Sequence, residues 1–319
     1  MSKISAHCIG DINSASSRLR SYYLFDPENT GDIVIYRNAK GIKSIYCDIL
    51  HLQKCYQPIH FLNAIIFRLL GKTVIFDIDD QAVKLKHRFA IIVMLKISNT
   101  VTTDTEERKI YLSKYIDKNK IHVLHDIVDI SPRMDINSYI VPQRNIENIA
   151  WIGHRDNFES ICKIINSKLV NSKFGIIVVT NITQDDKLVK EYPSIKFINW
   201  SIDIMLGTEV DAKYVVLSHN ATCDKNAVYK SENKMVLSIA SGFIPIVSRS
   251  PSYSRLAKKI NAECLLFDNI SDIPNIIRSL TVKWEKDFFN SSKRYIVNNY
   301  SQKAVFSEFK SLVRCKTSI

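Results

Sequence analysis

Two hydrophobic periods alternate along this chain. Short, mostly β-branched runs separate longer stretches whose apolar positions recur at helical spacing. In the first part, residues 4–9, 32–36, 72–76, 100–103 and 121–124 read as strands. Residues 18–25, 42–52, 58–70, 81–97 and 104 to about 118 read as helices. The last opens with Asp104-Thr-Glu-Glu107, a capping-type start. Residues 125–148 then lose periodicity and contain Pro132 and Pro142, which marks a linker.

A second series follows. Strand patterns cover 149–152, 175–180, 195–198, 214–217, 245–248 and 264–267, and helical patterns cover 157–168, 252–260 and 270–280. The tail, 283–312, is helical, with apolar positions at Phe288, Phe289, Tyr295, Ile296, Tyr300, Val305, Phe306 and Phe309. Strands alternating with helices predict mostly parallel, doubly wound sheets. The pattern therefore predicts an α/β chain of two consecutive units. Ligands of such sheets sit at the carboxyl ends of strands, and two such domains facing each other make a cleft.

The most informative stretch is Tyr229-Lys-Ser-Glu-Asn-Lys-Met-Val-Leu-Ser-Ile-Ala-Ser-Gly-Phe-Ile-Pro-Ile-Val-Ser248. It reads as a polar loop, a short amphipathic helix ending at Gly242, and a buried strand beginning near Pro245. A helix start carries unpaired N–H groups and partial positive charge, so it favours anions. Lys230 and Lys234 add full charges, and Ser231 and Asn233 can cap or donate. The chemistry indicated is recognition of a phosphate or diphosphate. The plainer alternative is a capped surface helix with solvated lysines.

Composition narrows the class. Of 319 residues, 46% are hydrophobic and 24% charged, as in an ordinary globular protein. Residues 1–20 lack the apolar segment of a secretory signal. The most apolar runs, 58–70 and 89–97, fall short of the roughly 20 residues that span a bilayer, and both read as buried helices. Seven cysteines show no CxxC or Cys/His cluster, which points to a reducing compartment and no structural zinc. The expected location is cytoplasmic. The formal charge of +12 favours anionic partners: phosphorylated substrates or a peripheral contact with an anionic inner-membrane face. No zinc finger, RNP-like sequence or arginine-rich arm supports nucleic acid as a partner. Missing GxGxxG, GxxxxGK[ST] and GxSxG motifs disfavour a dinucleotide dehydrogenase, a P-loop protein and a typical α/β hydrolase.

The ordered features resemble the GT-B glycosyltransferases, two-Rossmann-domain enzymes that use nucleotide-activated sugars, in particular the bacterial surface-polysaccharide type of glycosyltransferase families 4 and 1. The resemblance covers most of the chain. It runs through Ser16-Ser-Arg-Leu-Arg20, Val74-Ile-Phe-Asp-Ile-Asp-Asp80, Val101-Thr-Thr-Asp-Thr-Glu-Glu-Arg108 and His122-Val-Leu-His-Asp126. It continues through Ile149-Ala-Trp-Ile-Gly-His-Arg155, Phe197-Ile-Asn-Trp200, Asp211-Ala-Lys-Tyr-Val-Val-Leu-Ser218 and Tyr229–Ser248. Many members carry two glutamates eight residues apart around the donor helix, and here Tyr229 and Leu237 stand in those places.

The resemblance implies a GT-B fold: two Rossmann-like doubly wound domains facing an interdomain cleft. Residues 1–140 would bind acceptor and 141–290 the nucleotide-sugar donor, with 291–319 a helix crossing back to the first domain. Partners would be a nucleotide-sugar donor and a saccharide or lipid-linked glycan acceptor of lipopolysaccharide, O-antigen or capsule assembly. No cofactor is implied, and the reaction is expected to be metal-independent. Without a metal, positive charge at the leaving diphosphate must come from side chains and helix starts. Candidate donor-binding residues are Arg155, Lys230, Ser231, Asn233 and Lys234, with Arg18 and Arg20 from the first domain. Two arginines at i and i+2 point apart on a helix, so at most one of that pair should face the cleft. Asp79 and Asp80, after a buried strand, are the candidate catalytic bases. The alternative role of these aspartates is capping the next helix. Alternatives for the whole chain are a nucleotide-sugar epimerase, a phosphate-linked polyol transferase on the same fold, or an inactive glycan-binding partner.

Overall fold

The computed structural model describes residues 3–31, 33–38, 42–79, 87–131, 144–155, 162, 174–183, 186–201, 203–218 and 227–314. The chain divides into two compact units, Met1–Ile127 with Asn299–Ile319, and Val128–Asn298.

The first unit is built on β1 (Lys3–Cys8), β2 (Val34–Arg37), β3 (Ile49–Gln53), β4 (Thr73–Asp77), β5 (Thr100–Thr103) and β6 (Ile121–Val123). They lie in the order β2-β1-β3-β4-β5-β6, and every neighbouring pair is parallel. The chain starts at β1, steps outward to β2, and returns to the other side of β1 as β3. The carboxyl ends of β1 and β3 therefore flank the topological switch point, where open α/β sheets hold their ligands.

β3 corrects the sequence reading, which made 42–52 one helix. The helix is confined to Ile42–Ile45, and a strand follows. All five residues of β3 are buried because parallel neighbours and helices cover both faces. A strand covered on both faces shows no period of two, and His51 and Gln53 break its apolar run.

The helices Pro58–Leu69 and Arg88–Ile97 form where expected. Proline opens the first, and its start is closed by the Gln57 backbone N–H donating to His60 Nδ1 at 3.2 Å. Arg88–Ile97 buries Ile91, Met94 and Leu95, but the expectation of a buried helix is corrected for Pro58–Leu69. Ala64 and Phe67 enter the core, whereas Ile59, Leu62, Ile65 and Leu69 are exposed. The tail is two helices, Val282–Tyr300 and Gln302–Arg314. The Ser301 hydroxyl at the break accepts from the Ala304 N–H. Val305, Phe306 and Phe309 of the second helix complete the first unit's core beside Leu19 and Phe25.

The second unit carries β7 (Asn148–Ile152), β8 (Gly175–Thr180), β9 (Lys196–Asn199), β10 (Tyr214–Leu217), β11 (Ile244–Ser248) and β12 (Leu266–Phe267). Their order is β12-β11-β10-β7-β8-β9, again all parallel. From β7 the chain adds two strands on one side, β8 and β9, and three on the other, β10 to β12, so the switch point lies between β7 and β10. Among the described residues no helix is long and apolar enough to cross a membrane.

Between β10 and β11 lies the helix Asn233–Ala240. It ends in a Schellman motif: the Gly242 N–H donates to Ile239 O at 3.0 Å and the Phe243 N–H to Ser238 O at 2.9 Å. Gly242 has φ +80°, which glycine adopts without a Cβ clash. Buried Arg144 fixes this turn by donating to Ser241 O at 3.1 Å, with its guanidinium 3.7 Å from the Phe243 ring centre.

Candidate functional site

In the second unit the candidate residues gather at the switch point. The helix Asn233–Ala240 starts there, and its N-cap residue, Glu232, makes no side-chain capping bond. Lys234, on its first turn, donates from Nζ to the carbonyl oxygen of Ile152, the last residue of β7, at 3.2 Å. The ammonium is thus held at the carboxyl end of the strand from which the sheet runs in both directions. Burial, followed by repulsion from Lys230, lowers its pKa to about 8. Asn233 Oδ1 and the Ser218 hydroxyl, just beyond β10, are buried without a hydrogen-bond partner. Buried polar atoms normally find partners, so this edge retains unused bonding capacity.

Gly153 follows β7. A Cβ there would meet the Trp151 ring at 2.4 Å, so glycine is required for the chain to turn over the indole. Arg155 comes next. Its N–H donates to Asn181 Oδ1 at 3.0 Å, and its guanidinium pairs with buried Asp186 at 2.5 Å. Asp186 also caps the helix Lys187–Glu191 through the Leu188 N–H. Lys230 and Ser231 lie half-buried before the donor-type helix. The Lys230 carbonyl accepts from the Ser252 hydroxyl at 2.6 Å.

The first unit holds a second cluster at its own switch point. Gln53, the last residue of β3, donates from Nε2 to Ser16 Oγ at 2.7 Å and lies 3.5 Å from Asp79 Oδ1. The Ser16 hydroxyl donates to Asp79, and Lys54 Nζ pairs with Asp79 at 3.0 Å. Burial alone would push the Asp79 carboxyl up. Lys54, Arg20 and the Ser16 hydroxyl outweigh that and hold it below the usual carboxylate range. Asp79 is therefore an ionised group of low basicity. Asp80 lies outside the described residues.

The structure places Arg18 and Arg20 inside the unit rather than on its surface. The chain from Arg18 to Tyr22 makes a π-helical turn, closed by Tyr23 N–H to Arg18 O at 2.7 Å. Arg18 donates to the carbonyls of Ile12 and Asn13 and so holds the loop after β1. Arg20 grips Asp77 through two bonds of 2.8 and 2.6 Å, then Asp126 at 2.8 Å and Leu124 O at 3.0 Å. Its charge is committed to carboxylates at the ends of β4 and β6, which fixes the edge that carries Asp79.

No family model matches the chain, and no curated protein matches it in sequence. Solved structures do. HepE of Anabaena in complex with UDP and glucose aligns with a TM-score of 0.67 at 11% identity, over 99% of this chain and 100% of HepE. TarM of S. aureus aligns at 0.59 and 14% identity over 83% of this chain but 54% of TarM, so the chain spans about half of that protein. UDP-GlcNAc 2-epimerase from Neisseria meningitidis, bound to UDP-GlcNAc, aligns at 0.53 and 12% identity over 99% of this chain and all of the epimerase. The chain has the GT-B fold.

Within this GT-B fold, sequence reasoning singled out Asn233, Lys234 and Arg155, and the structure brings all three to the carboxyl edge of the second sheet. It did not single out Ser16, Gln53 or Lys54, which surround Asp79. Their signal was positional: Gln53 ends β3 and Lys54 follows it, and most of that strand was read as helix. Asp104 was read as part of a helix cap. The cap is Thr105, whose hydroxyl accepts from the Arg108 N–H at 3.3 Å. Asp104 pairs with Arg108 at 2.7 Å, and burial, opposed by Arg108 and helped by Asp126, raises its pKa to about 7.

Proposed function

We propose that the chain is a glycosyltransferase that moves a sugar from a nucleotide-sugar donor to a saccharide acceptor in bacterial surface-polysaccharide assembly. The observation that carries this reading is Lys234, whose ammonium is fixed on Ile152 O beside a helix start whose N-cap residue, Glu232, makes no side-chain capping bond. As the sugar–oxygen bond breaks, negative charge grows on the departing nucleoside diphosphate. A preorganised ammonium and backbone N–H groups stabilise that charge without rearranging. Arg155 joins them by exchanging Asp186 for phosphate. HepE, similar over its whole length, is described with UDP and glucose, which supports a UDP-sugar as donor.

In the first unit, Asp79 accepts a hydrogen bond from the acceptor hydroxyl and orients it. A carboxylate held below its usual range is a weak proton sink, so orientation is the better role. Lys and Arg supply the positive charge in this reading, and no metal is assigned to the reaction. Similarity to an epimerase bound to UDP-GlcNAc supports a second reading, isomerisation of the donor.

Incubating the protein with a panel of nucleotide sugars and saccharide acceptors, with products read by mass spectrometry, separates the two. Free nucleotide with an extended acceptor is the expected result, unchanged by a chelator. An isomerised donor would support the epimerase, and binding without turnover would leave a non-catalytic glycan-binding protein.

A further inference from the structure

The helix Pro58–Leu69 is apolar on two opposite sides. At about 100° per residue, Ala64 and Phe67 share one face, and Leu62, Ile65 and Leu69 fall on the opposite one. The inner pair is fully buried, whereas Leu62 is 53%, Ile65 43% and Leu69 82% exposed. Ile59 at 55% and Leu70 at 52% extend the outer stripe at both ends. On the neighbouring helix Arg88–Ile97, Phe89 is 82% exposed. Scattered exposed apolar residues are ordinary on a protein surface, but a continuous stripe of large ones marks an interaction site.

The charge around the stripe is one-sided. Residues 54–76 and 81–103 contain no aspartate or glutamate. Arg68, Arg88 and Lys96 are exposed in the same two helices. An apolar helix face flanked by cations, without acids, is the composition of a helix that lies in the headgroup plane of an anionic membrane. A second copy of the chain fits poorly. A two-fold interface through this face would oppose each arginine with cations and offer no carboxylate from either helix.

We propose that this face seats the protein on an anionic lipid bilayer, with Leu62, Ile65, Leu69 and Phe89 entering the interface and Arg68 and Arg88 meeting lipid phosphates. The helix starts at Pro58, four residues after Lys54, the partner of Asp79. The helix crosses from the carboxyl end of β3 to the start of β4, so its first turn, with Ile59 and Leu62, is the part of the stripe nearest the Asp79 cluster, where a lipid-linked saccharide would arrive. That link rests on the transferase reading; the docking itself does not.

Flotation of the full chain with vesicles tests it. Vesicles rich in phosphatidylglycerol should carry the protein upward, pure phosphatidylcholine vesicles should not, and added salt should release it. Leu62→Glu/Leu69→Glu and Arg68→Glu/Arg88→Glu should each weaken partitioning about tenfold or more. Both variants should keep the wild-type circular dichroism spectrum and UDP affinity. Equal flotation of the Leu62→Glu/Leu69→Glu variant and wild type would overturn the proposal. So would absence of flotation together with a dimer, or with capture of an acidic protein, that this variant abolishes. UDP affinity is read on the same samples, so failure of the donor reading shows separately from failure of docking.

Discussion

Lys234 Nζ lies 3.2 Å from the carbonyl oxygen of Ile152, so a charge on one element is locked to the end of another. The two residues are far apart in sequence and meet because β7 and β10 flank the switch point of the second sheet. A lysine on a free surface would be solvated, with an ordinary pKa. Here burial lowers it to about 8, which makes the ammonium titratable near the working range.

That value predicts a pH dependence. Affinity for UDP falls as pH rises through about 8, because the ammonium that meets the diphosphate loses its proton. At the limit the loss is about tenfold per pH unit. The stability effect has the opposite sign. Between about 8 and the unfolded value of about 10.4 the unfolded chain binds more protons, so this group makes the fold more stable as pH rises across that window. Isothermal titration with UDP from pH 7 to 9.5 measures the first effect. Lys234→Arg should flatten the profile, since guanidinium does not titrate there.

Arg155 predicts a gain of function. Its ion pair with Asp186 competes with phosphate. Asp186→Asn removes the competing charge, and asparagine still caps the helix Lys187–Glu191. The pair is half-exposed on the arginine side, so the gain is small: UDP should bind up to about fivefold more tightly. Titration of the variant beside Arg155→Ala, which should bind more weakly, checks the assignment.

In the first unit, Asp79→Ala, which removes the acceptor of the orienting hydrogen bond, should lower turnover about a hundredfold while leaving UDP affinity unchanged. Steady-state kinetics with varied acceptor provides the readout. A change in UDP affinity, or normal turnover, would remove Asp79 from the reaction.

Arg20 predicts a stability effect. Arg20→Ala leaves Asp77, which is fully buried, and Asp126 without their guanidinium. Loss of one partner of a buried pair costs about 3–5 kcal/mol. Arg20→Lys should recover only part, because an ammonium cannot reproduce the two-bonded grip on Asp77. Denaturant unfolding followed by circular dichroism measures both variants.

Much of the fold was legible in the chain. Residues 100–103, 175–180 and 214–217 were read as strands and are β5, β8 and β10 to the residue. They are short, β-branched and bounded by polar residues, so local pattern and tertiary burial agree. β3 was missed because burial on both faces erases the alternation that marks a strand. The outer stripe of Pro58–Leu69 was missed for a related reason: apolar composition alone reports affinity for a nonpolar surface, not which surface covers it. Asp80 and, apart from residue 162, the expected helix 157–168 lie outside the described residues.

The site was legible where one helix start carried its own chemistry. Asn233 and Lys234 were singled out from sequence alone, and the structure places both at the carboxyl edge of the second sheet. Ile152, Asn181 and Asp186 could not be joined to them, because strand order is set by long-range pairing that no local pattern encodes. The same holds for Ser16, Gln53 and Lys54 around Asp79, which come from two strand ends and a helical turn. Arg20 looked like a free cation in sequence, and only the fold shows that Asp77 and Asp126 hold it.

The central claim is that the second unit binds a nucleoside diphosphate through Lys234 at the end of β7. Isothermal titration of UDP into wild type and Lys234→Ala at pH 7 tests it most directly. Loss of one charge-assisted contact, about 1.5–3 kcal/mol, should weaken binding about tenfold to a hundredfold, with the variant still folded. Equal affinity in the two proteins, or no UDP binding by wild type, would contradict the account.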